Sequence, residues 1–151
     1  MVSTGLERLF DNLDSFRGKR VGVACNHTAV DSKLDHLLDR LRGAGVAVKR
    51  VFAPEHGLHA TAQDMIAVAG EDEGPAVVSL YGTSAATLRP APELLADLDV
   101  VLFDIQDIGT RYYTYQATLG YMMEVAATTG TRIVVLDRPN PIGRPVEGLK
   151  L

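Results

Sequence analysis

Val100-Val101-Leu102-Phe103-Asp104-Ile105 is an almost unbroken apolar run, rich in β-branched residues, with a single carboxylate near its end. A run of this kind reads as a strand buried on both faces, and such strands belong to parallel sheets covered by helices. Working outward, Val21-Gly22-Val23-Ala24-Cys25, Ala47-Val48-Lys49-Arg50-Val51-Phe52-Ala53, Val77-Val78-Ser79-Leu80-Tyr81 and Arg132-Ile133-Val134-Val135-Leu136 have the same short, apolar character.

Helical patterns separate these runs. Thr4 and Glu7 stand at capping-box spacing before Leu6, Leu9, Phe10 and Leu13, which predicts a helix over 4–13. Asp31 is an expected N-cap for a helix carrying Leu34, Leu37, Leu38 and Leu41, ended by Gly43 and Gly45. Pro92 opens a short helix through Leu94, Leu95 and Leu98. A longer helix is expected over 113–128, turning Leu119, Met122, Met123 and Ala126 to the sheet and stopping at Gly130. Residues 61–74 lack a clear period and read as a flap or short helix. Strands alternating with helices imply right-handed crossovers. The expected fold is therefore α/β, a doubly wound, mostly parallel, Rossmann-like sheet with helices on both faces, in one domain over residues 1–151.

Composition narrows the function. A net charge of −4 and a pI near 5.5 argue against nucleic acid, whose phosphates call for clustered Lys and Arg. No run reaches the apolar length of a membrane span. The first residues lack the charged and apolar regions of a signal peptide, so the expected location is cytoplasmic, or periplasmic or secreted had a leader been trimmed. The lone Cys25 excludes an internal disulfide and a cysteine zinc cage, and reads as a small buried residue.

Four strand ends carry polar clusters: Cys25-Asn26-His27-Thr28, Pro54-Glu55-His56-Gly57, Asp104-Ile105-Gln106-Asp107 and Asp137-Arg138-Pro139-Asn140. In parallel strands these converge on one edge, where α/β folds bind ligands. The turn after Asn26-His27-Thr28 lacks the glycines of a dinucleotide site, and no phosphate-cradling Gly-Lys-Ser/Thr loop exists, so no nucleotide cofactor is expected. Glu55, His56 and His59, with Asp104 and Asp107, are donors for a metal-dependent hydrolase, yet they lack dense ligand spacing.

Carboxylate chemistry fits better. Glycoside cleavage takes a proton donor plus a second carboxylate, or the substrate's own acetamido group. Glu55 suits the acid if Phe52, Leu58 and Tyr81 give it an apolar surround, and His56 either orients it or merely bonds a turn. Asp104 or Asp107 is the expected electrostatic partner. The expected sugar-contacting residues are Asn26, His27, Tyr81, Gln106, Arg111, Tyr112, Tyr113, Asp137, Arg138 and Asn140. Tyrosines stack on sugar faces, and an arginine fork grips a carboxylate. Arg111 pairing with Asp107 or Asp104, and a self-satisfied turn at 137–140, remain equally open.

Taken in order, these phrases, with Ser79-Leu80-Tyr81-Gly82 and Arg111-Tyr112-Tyr113-Thr114-Tyr115, resemble the bacterial exo-β-N-acetylmuramidase family, glycoside hydrolases of peptidoglycan recycling first catalogued as a domain of unknown function. Each phrase alone is weak, and the ordered set is specific. The resemblance implies removal of non-reducing terminal N-acetylmuramic acid from peptidoglycan fragments, by a Rossmann-like domain followed by a smaller auxiliary one. It also implies that Glu55 is the leading catalytic candidate, with Arg111 or Arg138 suited to the lactyl carboxylate. Two features depart from the family. Leu58-His59-Ala60 stands where an Arg-Gly pair is usual, and family members continue past Val146-Glu147-Gly148. A sugar-binding fragment without catalysis is thus the alternative, and apolar surface left by an absent second domain predicts self-association.

Overall fold

The computed structural model describes residues 2–54, 75–81, 85–143 and 145–148. Five strands form one parallel sheet: β1 (Val21–Cys25), β2 (Val48–Ala53), β3 (Ala76–Ser79), β4 (Val100–Asp104) and β5 (Arg132–Val135), in the order β3-β2-β1-β4-β5. β1 and β4 are neighbours in space although β2 and β3 intervene in sequence. The strand order reverses there, which in open α/β sheets marks the crevice for a ligand.

β1 and β4 are buried on both faces because their side chains alternate between two cores. Val21, Val23, Cys25, Val51, Val100 and Leu102 face α1 (Gly5–Asp11) and α2 (Leu37–Gly43). Ala24, Phe52, Val101 and Phe103 face α3 (Glu93–Ala96) and α4 (Tyr115–Thr129), meeting Leu95, Met122, Val125 and Ala126. Each large side chain so enclosed contributes roughly 1.5–3 kcal/mol relative to exposure. Gly22 leaves room in β1 for the side chains of Leu98, Phe52 and Val101, since a β-carbon there would stand 2.7 Å from the Leu98 Cδ1 atom, which would have to shift.

The helices hold several departures from expectation. The capping box at Thr4 and Glu7 forms, but α1 stops at Asp11 and a 3-10 turn over Leu13–Phe16 follows. Asp31 caps no helix. Its Oδ1 accepts from the Lys33 and Asp35 amides at 2.8 and 3.0 Å, closing a turn in which Leu34 adopts φ 68° and is 79% exposed. Asp side chains compete with helical backbone bonding in this way. α2 begins later, with His36 as N-cap accepting from the Leu38 amide. α4 starts at Tyr115, and Met123 is half exposed while Thr118 and Val125 take the buried positions. β3 ends at Ser79, before Leu80 and Tyr81. The segment over 61–74 lies outside the described residues. No helix among the described residues is long and apolar enough to cross a membrane.

Gly5 docks the first helix on the last strand. Its amide donates to the Asp137 carbonyl at 2.7 Å, and a β-carbon on it would overlap the Leu136 and Asp137 backbone. Gly→Ala within a helix ordinarily stabilises by up to about 1 kcal/mol. Here the sign reverses: Gly5→Ala is expected to destabilise by roughly 1–3 kcal/mol, the usual cost of overpacking. Denaturant titration checks this, and a rise in midpoint would show that the helix shifts freely.

At the opposite end of the strands, Asp99 accepts from the Arg20 amide, Nε and Nη2 at 2.7, 3.2 and 2.6 Å. These bonds hold its carboxyl down from 3.8 to about 2. A depressed folded-state value means the stabilisation is present above the unfolded value and lost as pH falls through the folded one. Asp99→Asn should therefore be less stable than the parent at neutral pH, with the gap closing between pH 3.8 and about 2 in denaturation midpoints.

Candidate functional site

At the carboxyl-terminal edge of the sheet, three strand tips are cross-bonded. The turn after β1 is closed by buried Asn26, whose Oδ1 accepts from the Thr28 amide at 3.0 Å and hydroxyl at 2.6 Å. Thr28 Oγ1 in turn accepts from the Gln106 amide at 3.1 Å, joining the tips of β1 and β4. His36 Nε2 lies 3.0 Å from the Asn26 carbonyl, tying the start of α2 to the same turn.

Asp104 closes the second tie. It ends β4 with its side chain fully buried, and its Oδ1 and Oδ2 accept from Arg138 Nε and Nη2 at 2.5 and 2.9 Å. Arg138 Nη2 also donates to the Val30 carbonyl at 3.0 Å, so one guanidinium spans the tips of β5, β4 and β1. Burial pushes the Asp104 carboxyl above its ordinary range, against the pull of the Arg138 hydrogen bonds and charge. The neighbouring Cys25 thiol is pushed up to about 12, mainly by burial, and is inert. These contacts correct two expectations. Asp104 does not face a ligand, because both its oxygens are enclosed by Arg138. Arg138 grips an internal carboxylate rather than offering its fork to a substrate.

Past β4 the chain turns over a hollow of about 270 Å³ between the tips of β4 and β5. Gln106, Asp107, Asp137, Arg138 and Asn140 line it, with an apolar wall from Tyr115, Leu119, Val135 and Leu136. Asp107 Oδ1 accepts from the Gly109 amide at 2.6 Å. Gly109 has φ 79°, and a β-carbon there would overlap the Asn140 side chain, so glycine is needed for both reasons. Gln106 Nε2 donates to the Asp107 and Pro139 carbonyls at 2.6 and 3.1 Å, and Asn140 Oδ1 accepts from the Ile142 amide at 3.1 Å. Asp107 Oδ2 is buried without a hydrogen-bond partner. Such an atom costs about 1–3 kcal/mol unless something satisfies it.

The hollow thus gathers five of the expected site residues. Asn26 is structural, and His27 is exposed on the β1 turn. Arg111, Tyr112 and Tyr113 are exposed on the turn before α4, where Tyr113 meets Tyr115 edge-on at 5.7 Å. Tyr81 follows β3, four strand spacings from β5, or roughly 19 Å. Glu55, His56 and His59 lie outside the described residues. Among the described residues no three His, Cys, Asp or Glu side chains cluster as metal donors. Thr28 as a tie, and Leu119 and Val135 as wall, were not singled out, because an apolar residue at helix or strand period looks like core.

Residues 21–151 match the model of the family described as exo-beta-N-acetylmuramidase NamZ, N-terminal. The chain belongs to that family. It is 40% identical, over 94% of its length, to the peptidoglycan beta-N-acetylmuramidase NamZ of Bacillus subtilis (strain 168), covering 35% of that protein. Two crystal structures of DUF1343 family proteins from Bacteroides fragilis NCTC 9343 share the fold. One has a TM-score of 0.78 at 42% identity over 93% of this chain, the other 0.72 at 30% over 91%. The chain spans about a third of the length of each of these relatives. Family membership accounts for the ordered phrases of the sequence, and the parallel Rossmann-like sheet explains why the described strand tips lie on one edge.

Proposed function

We propose that this chain is the Rossmann-like part of a glycoside hydrolase that releases non-reducing terminal N-acetylmuramic acid from peptidoglycan fragments. The observation that carries the reading is membership of the NamZ family together with a polar hollow at the reversal edge of the sheet. Glu55, two residues beyond the end of β2, is the general acid in this reading and protonates the departing glycosidic oxygen. The oxocarbenium-like charge that develops is met by a carboxylate or by the substrate's acetamido oxygen, and water completes the hydrolysis. Of the two aspartates at the β4 tip, Asp107 is the one with an uncommitted oxygen. The Asp104–Arg138 pair holds the tips in register.

Release of N-acetylmuramic acid from an alkyl muramide, and its loss in Glu55→Gln, tests the proposal. A chain that binds muramides and turns none over would instead be a sugar-binding module.

A further inference from the structure

α2 opens on an uncommon cap. Ser, Thr, Asn and Asp are the side chains that ordinarily accept the first free amides of a helix, and here the acceptor is an imidazole. His36 Nδ1 accepts from the Leu38 amide at 3.3 Å, and His36 Nε2 lies 3.0 Å from the Asn26 carbonyl. An amide N–H only donates and a carbonyl only accepts, so these two partners fix the single ring proton on Nε2. The ring that fits is neutral. An imidazolium carries a proton on both nitrogens, and the one on Nδ1 would point at the Leu38 N–H. The cap and a second ring proton exclude each other.

What the ring holds extends to the sheet edge. The Leu37 amide donates to the Ala29 carbonyl at 2.8 Å, and Val30 bridges to His36, so the start of α2 lies along the β1 loop. The Asn26 carbonyl takes both the ring proton and the Ala29 amide, at 3.0 and 3.1 Å. The Asn26 side chain holds Thr28, and Thr28 Oγ1 holds the Gln106 amide. Leu38, His36, Asn26, Thr28 and Gln106 thus form one run of hydrogen bonds from α2 to the β4 tip.

Titratable and charged groups surround the ring on several elements. Asp104 at the β4 tip feels a charge on His36, but its carboxylate is already matched by Arg138. Arg138 also bonds the carbonyl of Val30, the bridge partner of His36. On the turn before α2, Asp31 pairs with Arg40 at 2.7 Å, and Asp35 is exposed. Cys25, at the end of β1, is a buried thiol that stays neutral, and His27 is exposed on the β1 turn.

We propose that His36 is a pH-sensitive latch between α2 and the β1 turn: the neutral ring closes it, and protonation frees the Leu38 amide and slackens the run that ends at Gln106. Histidine is the side chain whose ordinary titration lies between about pH 5 and pH 8, so the latch responds in that range. Proton and nitrogen NMR of the 151-residue chain tests this without a substrate. At about pH 8 the ring should show the Nε2–H tautomer, and on titration to about pH 5 the Leu38 and Gln106 amide signals should move along the same curve as the ring nitrogens. Asparagine places Oδ1 where Nδ1 stands and does not titrate, so His36→Asn should keep both amide signals still over that range. His36→Gln keeps a donor for the Asn26 carbonyl without the cap acceptor, so its Leu38 signal should sit near the parent's acid position at every pH. A ring protonated on Nδ1 at the alkaline end, or Leu38 and Gln106 signals that ignore the ring's titration, overturns the latch. So does a neutral-pH Leu38 position kept in His36→Gln, or movement that persists in His36→Asn, which would assign the change to His27 or Asp104.

Discussion

Glu55→Gln is expected to lower the rate of N-acetylmuramic acid release on the order of 10²–10⁴-fold, the usual contribution of a positioned proton donor. Glutamine matches glutamate in shape and can hydrogen-bond the glycosidic oxygen, but it has no proton to give. The loss should fall on kcat with KM little changed, because the acid acts on the leaving oxygen as the bond breaks and not in ground-state binding. Substrates with an activated phenolic leaving group need less protonation, so their penalty should be the smaller one. Steady-state kinetics on a phenolic and an alkyl muramide measure both. Activity retained in Glu55→Gln on the alkyl substrate would remove Glu55 from the role.

Arg138→Ala should give the largest loss of stability, roughly 3–5 kcal/mol, the cost of leaving a buried carboxylate without its partner. Asp104 is fully enclosed and Arg138 is only 9% exposed, so solvent cannot replace the guanidinium. The pH dependence has a definite sign. Burial already holds the Asp104 carboxyl above its ordinary 3.8, and removing Arg138 raises it further. A raised folded-state value favours the protonated folded form, so the variant should be least impaired below pH 3.8 and lose stability as pH rises. Asp104→Asn placed on Arg138→Ala should recover part of the loss, since a neutral amide is cheaper to bury than an unpaired charge. Denaturant midpoints of the parent, both single variants and the double variant form the cycle. Equal midpoints for the parent and Arg138→Ala at neutral pH would show that the clamp is not needed. Arg138 also bonds the Val30 carbonyl, so its removal loosens the β1 turn as well as the β4 tip.

Much of the fold was legible because it depends on local periodicity. Apolar runs bounded by polar tips named all five strands to within a residue or two. The capping box at Thr4 and Glu7 and the left-handed Gly130 marked helix ends where they form. The Asp31 cap failed because the same side chain has two local uses, helix cap or turn, and spacing does not choose between them. At the site, Gln106, Asp107, Asp137 and Asn140 were found as strand-tip residues, and the structure brings them to one hollow. Asp104 was misread because its residue type says nothing of its partner.

From the order of residues alone come the parallel sheet, the two apolar faces of its strands, the polar character of their tips and the family. These depend on neighbours a few positions apart. The tertiary structure decided which tips touch and which carboxylate oxygen is left without a partner. Asp104 meets Arg138 across 34 positions, and Gln106 meets Thr28 across 78. Such pairs form only because β4 lies between β1 and β5, and no period in the chain encodes which strand will be a neighbour. With β4 so placed, the enclosed carboxylate at 104 takes the guanidinium of Arg138, and the one at 107 keeps a buried oxygen without a hydrogen-bond partner.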